Sequence, residues 1–200
     1  MSVQFKKFIV VGLLVVLPLC GVWQTGLAAW IHAKAILAQF LLETAWSETL
    51  KSHKEVKPWP WADTWPVSRL TVPRLGINRI VLAGASGSSL AFGPGHLFGT
   101  ALPGESGNVV IAGHRDTHFR FLQEMKKGDE IHLQTNNGEN ISYLIREIRV
   151  IHENETRYLS QGDERILTLI TCYPFNAVTA GGPMRYIVIA RPEPYTRKMI

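Results

Sequence analysis

From Ser68 onward, this 200-residue chain is a succession of short apolar, β-branched runs set between turn residues, and that spacing leaves few folds open. Ser68 to Val72 and Ile77 to Ala83 flank Pro73-Arg74-Leu75-Gly76. Asn108-Val109-Val110-Ile111-Ala112 comes after the turn sequence Pro103-Gly104-Glu105-Ser106-Gly107 and reads as a buried strand. Glu130 to Thr135 and Ile141 to Ile151 are joined through Asn136-Asn137-Gly138, whose Asn-Gly step favours a hairpin. Ile166 to Thr171 and Arg185 to Arg191 complete the set. Short strands at such close spacing predict a mainly β fold, a closed or nearly closed β-barrel. Gly84 to Gly99, rich in glycine and serine, predicts a loop with a short helix, and Phe119 to Lys127 a second short helix.

The other end of the chain obeys different chemistry. Lys6 and Lys7 precede Phe8 to Trp23, a run without a single charge. Lysines ahead of an apolar run stay in the cytoplasm, so the chain beyond the run is exported. The run is short for a full span, but continuing to Trp30 reaches bilayer thickness, with Trp23 and Trp30 as interfacial anchors. The reading is an uncleaved signal anchor. A cleaved signal peptide is the rival, since Gly26-Leu27-Ala28 offers small residues to a signal peptidase.

From about Ala28 to Lys57, Trp30, Ala33, Ile36, Leu37, Phe40, Leu41, Ala45 and Leu50 recur at helical spacing and predict an amphipathic helix. Pro58-Trp59-Pro60-Trp61-Ala62-Asp63-Thr64-Trp65-Pro66 then forbids regular structure, and its tryptophans need a surface. An extended arm wrapping the domain fits; a binding surface is the alternative. Residues 1–30 are thus expected to form the anchor, 31–66 a juxtamembrane helix and arm, 67–192 the folded domain and 193–200 a tail. The net charge of +5 comes from scattered basic residues, which argues against nucleic-acid binding.

Of the two cysteines, Cys20 lies inside the apolar segment, so an exported domain would hold Cys172 alone, without a disulfide. An unpaired exported thiol is a liability unless its chemistry is used. Cys172 closes the apolar run Ile166 to Thr171, His114 lies just past the strand Asn108 to Ala112, and Arg185 opens the last strand. Each sits at a strand end, where a rim-built site would hold it rigidly. A thiol attacking a carbonyl needs a thiolate, a proton donor and donors for the oxyanion, and these residues could supply them. Each also has a plainer reading: Cys172 as core, His114 as a surface histidine in a chain that has seven histidines, Arg185 as a solvated edge residue. A zinc site on Cys172 and His114 lacks two further ligands at plausible spacing.

Taken together, these segments resemble the sortase family. Thr168-Leu169-Ile170-Thr171-Cys172 is similar to the family's nucleophile segment, Gly113-His114-Arg115 to its histidine segment, and Arg185 falls where its arginine does. The resemblance runs from about Arg69 to Pro192, with His, Cys and Arg in the family's order. The Pro/Trp arm, Gly84-Ala85-Ser86-Gly87, Phe92-Gly93-Pro94-Gly95-His96 and Ala112 to Phe121 resemble a Gram-negative subgroup of marine proteobacterial type.

The resemblance implies an eight-stranded barrel and a transpeptidase. Its thiolate would cleave a Leu-Pro-x-Thr-Gly-like signal on an exported protein, form a thioacyl-enzyme and pass the acyl group to an amine. It makes Cys172 the nucleophile, His114 the general acid then base, and Arg185 the oxyanion stabiliser. It gives Asp116 and His118 no role, and His96, in a Gly-Pro-Gly-His loop, ranks below His114. The loop from Tyr173 to Met184 is short, so the accepted signal is expected to differ in detail. No cofactor is implied, and no carboxylate cluster dense enough for calcium is visible. The acceptor amine stays open. A cysteine protease using the same intermediate and a non-catalytic tethered β-domain are the alternatives. The expected location is the cytoplasmic membrane, spanned once, with the domain outside.

Protease added to intact spheroplasts is therefore expected to digest the domain beyond about residue 30. A domain that stays protected would contradict this topology.

Overall fold

In a computed structural model, the described residues are 3–179 and 181–192. The expected tail 193–200 lies outside them. Two compact units divide the chain, Met1–Phe40 and Leu41–Ile200.

The apolar run and the amphipathic stretch form one helix, α1 (Val3–Ser52), which continues through Pro18. It ends at Ser52, short of the expected Lys57, because His53 turns into the left-handed region (φ 54°). Within Val16–Ser52 the helix is long and apolar enough to cross a membrane, by length and composition. Leu17, Leu19, Val22 and Trp23 are 64 to 73% exposed, as lipid-facing side chains would be.

The second unit is built on a closed barrel of eight strands: β1 (Pro66–Val72), β2 (Ile77–Ala83), β3 (Gly95–His96), β4 (Asn108–Ala112), β5 (Glu130–Thr135), β6 (Asn140–His152), β7 (Ile166–Cys172) and β8 (Met184–Pro192). Around the barrel the order is β1-β2-β3-β4-β7-β8-β6-β5. The β2–β3 and β4–β7 pairs are parallel, the others antiparallel. Strand β3 lies where the sequence predicted loop. Two residues suffice to close the wall between β2 and β4, too few to leave a periodic signature. A Cβ at Gly95 would stand 2.1 Å from the Gly84 carbonyl oxygen, so only glycine permits that crossing. The predicted helix between β2 and β3 is a single turn, α2 (Gly87–Leu90), capped by the Ser86 side chain. The one expected after β4 is a 3₁₀ turn, Arg120–Glu124.

Alternation along the strands fills the interior with side chains. Leu70, Val81, Val109, Ile111, Leu133, Tyr143, Leu167, Leu169 and Val188 belong to one buried cluster, which Phe119, Phe121 and Leu122 cap. A second, smaller cluster forms on the outside of β2. There Leu42 and Trp46, from the last turns of α1, pack with Ile80 and Leu82, and Leu50 and Phe92 border them. The Trp46 indole also donates to Gln134 Oε1 at 3.3 Å. The Pro/Trp arm continues this cover. Trp59 meets Phe92 edge to face, and the buried Thr64 hydroxyl donates to the Ala83 carbonyl at 2.7 Å. Trp61 stands apart, 83% exposed.

Trp46 is 1% exposed and joins the end of α1 to the barrel wall. Trp46→Ala is expected to cost about 3–5 kcal/mol of the second unit's unfolding free energy, the usual loss for a buried tryptophan. Urea denaturation of residues 41–200 checks this, and an unchanged midpoint would show that the helix end does not stabilise the barrel.

Candidate active site

Strands β4 and β7 run parallel and in register, from Asn108 opposite Ile166 to Ala112 opposite Ile170. The pairing reaches one residue further, where Gly113 N–H donates to the Ile170 carbonyl at 3.1 Å. The buried Thr171 hydroxyl then donates to the Gly113 carbonyl at 2.7 Å. His114 and Cys172, each two residues past the last register pair, therefore leave the same end of neighbouring strands. Strand β8 arrives antiparallel on the other side of β7 and places Arg185 directly opposite Cys172. Directly opposed residues on antiparallel strands hold their Cα atoms about 4.5–5.5 Å apart. All three residues singled out in the sequence come to one end of three adjacent strands.

Alternation decides which way they point. Leu167 and Leu169 on β7, and Tyr186, Val188 and Ala190 on β8, face the core. Cys172 and Arg185 are out of phase with these sets and belong to the outer face. Cys172 is half-buried and reduced, and His114 is exposed. This orientation argues against a core role for the cysteine. Gly113 makes the turn into His114 feasible, because a Cβ there would lie 2.7 Å from the ring of Phe119.

Arg185 is already engaged. Its Nη2 donates to Glu153 Oε2 at 2.5 Å, and its Nη1 donates to the carbonyls of Gly182 (2.6 Å) and Met184 (3.0 Å). Glu153 lies just past the end of β6 and is fixed by its own N–H, which donates to the Pro183 carbonyl at 2.7 Å. Sequence reasoning missed Glu153. Its only signal was a place just past a long strand, and its partner lies 32 residues along the chain.

His118 and His96 fall in different places. His118 is half-buried near His114 and Arg79, and burial pushes its pKa below the ordinary 6.5, reinforced by those two neighbours and opposed by a hydrogen bond to the Ala91 carbonyl. His96 is in the barrel wall on β3, 2% exposed, with Nε2 at 2.9 Å from the Ala101 carbonyl. Its pKa is also lowered by burial. Among the described residues, no group of three or more His, Cys, Asp and Glu side chains converges as a metal site.

The sequence matches the Sortase domain family model over residues 70–193. This chain belongs to the sortase family. Among its relatives, Sortase D of Bacillus subtilis is 33% identical over 123 residues, 61% of either chain. This sortase spans less than two thirds of the length of the curated relatives it matches. The structure of a Clostridium perfringens Sortase D5 transpeptidase aligns with a TM-score of 0.63 at 29% identity, covering 79% of this chain and 99% of that one. Sortase C-1 of Actinomyces oris aligns with a TM-score of 0.58 at 31% identity, covering 64% of this chain and 75% of that one. The eight-stranded barrel expected of a sortase is the fold found.

The two lowered histidines give this sortase a definite acid response. Each resists protonation when folded, so the unfolded chain binds the extra proton first. Stability is complete above the ordinary 6.5 and falls as pH drops from there toward the depressed folded values. The urea midpoint is expected to decrease between about pH 7 and pH 5, less steeply in His96→Gln. A midpoint that rises over this range would contradict the assignment.

Proposed function

We propose that this sortase is a membrane-anchored cysteine transpeptidase acting on a Leu-Pro-x-Thr-Gly-like signal of an exported protein. The observation that carries the reading is the register that sets Cys172 opposite Arg185 and beside His114. The Cys172 thiolate attacks the carbonyl carbon of the threonine, forming a C–S bond and an oxyanion. Arg185 donates to that oxyanion. When the intermediate collapses, the C–N bond breaks and His114 protonates the leaving amine. The product is a thioester on Cys172. An incoming amine attacks it while His114 takes the amine's proton, an amide forms and the thiolate leaves.

Anchoring is inferred from the charge-free apolar run in α1 behind Lys6 and Lys7. The domain would stand outside the cytoplasm, held to the cytoplasmic membrane by a single span. Water in place of the amine would make the same site a protease, so the acceptor decides between the two activities. No cofactor takes part in these steps.

Cys172→Ala is expected to abolish cleavage of a sorting peptide while the barrel stays folded, since the change is small and lies at a rim. Arg185→Lys is expected to lose about 100- to 1,000-fold in turnover, because a point charge on a flexible stem does not reproduce the planar fork. Peptide cleavage with and without a good amine, followed by chromatography, measures both. Retained activity in Cys172→Ala would end the reading, and near-native turnover in Arg185→Lys would make Arg185 structural.

A further inference from the structure

Next to His114, one side chain ties together segments that the strands leave separate. The Arg115 side chain is 3% exposed. Its Nη1 donates to the Pro174 carbonyl at 2.8 Å, and its Nη2 to the carbonyls of Ala177 (3.0 Å) and Thr179 (2.9 Å). Its Nε donates to Asp116 Oδ1 at 3.1 Å. Three of these four acceptors are backbone oxygens of the loop that leaves Cys172 and returns at Arg185.

The C-terminal end of that loop has other anchors, Arg185 Nη1 on the Gly182 carbonyl at 2.6 Å and Glu153 N–H on the Pro183 carbonyl at 2.7 Å. Tyr173 N–H donates to the Met184 carbonyl at 3.0 Å and closes its base, and Ala177 N–H reaches the Pro174 carbonyl at 3.3 Å. Phe175 anchors the near half, edge-on to Tyr173 and Tyr186. Beyond Phe175, the turn through Ala177 and Thr179 is fixed by Arg115, while Val178 at its tip is 100% exposed. The same loop walls an open groove of about 410 Å³, in which Tyr173, Pro174, Phe175 and Asn176 face Arg120 and Gln123. The groove begins at the residue after Cys172.

We infer that Arg115 is a positioning residue: it clamps the Pro174–Thr179 part of the loop to the His114 segment and thereby sets the wall against which a peptide substrate lies. The chemistry of the residue suits the task. A planar fork with five donors can satisfy three divergent carbonyls and a carboxylate at once. A lysine ammonium is a compact charge and cannot span Pro174, Ala177 and Thr179 together. Cys172 and Arg185 sit on strands whose pairing does not involve Arg115, and His114, its chain neighbour, follows directly on the Gly113 N–H bond to the Ile170 carbonyl, so loss of the clamp should loosen the groove before it disturbs the reacting groups. Arg115 touches no reacting atom in the proposed reaction. The substrate half of the inference rests on the transpeptidase reading; the clamp itself does not.

The test uses the full chain in detergent, as wild type, Arg115→Lys and Arg115→Met. Thermolysin cuts ahead of exposed apolar residues, but only where the chain can leave the surface. Wild type is expected to resist cleavage at Ala177–Val178, and both variants to be cut there at least about ten-fold faster. With a sorting peptide, Arg115→Lys is expected to raise KM about ten-fold while kcat stays within about three-fold. A merely structural role would instead lower the folded fraction, and with it the apparent kcat, at constant KM. Cleavage at Val178 that is equally slow in wild type and Arg115→Lys would overturn the clamp. If neither variant folds, wild type decides: rapid cutting at Val178 in the folded protein overturns the clamp, and resistance supports it. A wild type that cleaves no peptide would remove the transpeptidase reading and leave the proteolysis result standing.

Discussion

The in-register parallel pairing of β4 with β7 is the constraint on which the rest of the site depends. Parallel strands need a long crossover, and here the chain spends residues 113–165 on it, including β5 and β6. The return for that excursion is directional. Parallel neighbours end at the same side of the sheet, so the residues just past both strands emerge together. Antiparallel neighbours would have sent His114 and Cys172 to opposite ends. The Thr171 hydroxyl on the Gly113 carbonyl extends the lock past the last strand pair to the residues adjoining His114 and Cys172. Strand β8, antiparallel to β7, then brings its beginning rather than its end to the same place, which is why Arg185 lies at the start of a strand while Cys172 ends one and His114 follows another.

Arg185 occupies this place already paired. Its ion pair with Glu153 joins side chains that are 24% and 46% exposed. Pairs this accessible contribute about 0.2–1 kcal/mol, because solvent screens them and two long side chains must be ordered. An oxyanion donor is worth about 2.7–4 kcal/mol in a transition state. For the proposed role the second magnitude exceeds the first, so Glu153 orients the guanidinium without holding it back. The same comparison explains why the pair alone is no argument for stability.

Much of the fold could be read from local pattern. Seven of the eight strands carry enough apolar, β-branched sequence to be located, and the Asn-Gly step marked the β5–β6 hairpin, whose Gly138 has φ of 86°. The family order of His114, Cys172 and Arg185 directed attention to three residues that the barrel brings to one rim. What escaped had no local signature. Strand β3 is two residues whose strand character comes only from its neighbours. The unbroken α1 joins two stretches of different periodicity, and it stops at His53 through a left-handed turn that nothing in Ser52-His53-Lys54 announces. Glu153 and Arg115 matter through partners 32 and 59 to 64 residues away, so only the closed barrel makes them visible.

In the proposed reaction Cys172 forms a thioester with the acyl half of a cleaved peptide. Intact-protein mass spectrometry during turnover of a sorting peptide, without added amine, tests it most directly. The expected result is an adduct with the mass of the N-terminal peptide fragment, located on Cys172 by digestion, released by hydroxylamine and converted to an amide when an amine is added. Peptide cleavage that leaves Cys172 unmodified throughout, or an adduct carried by another residue, would contradict it.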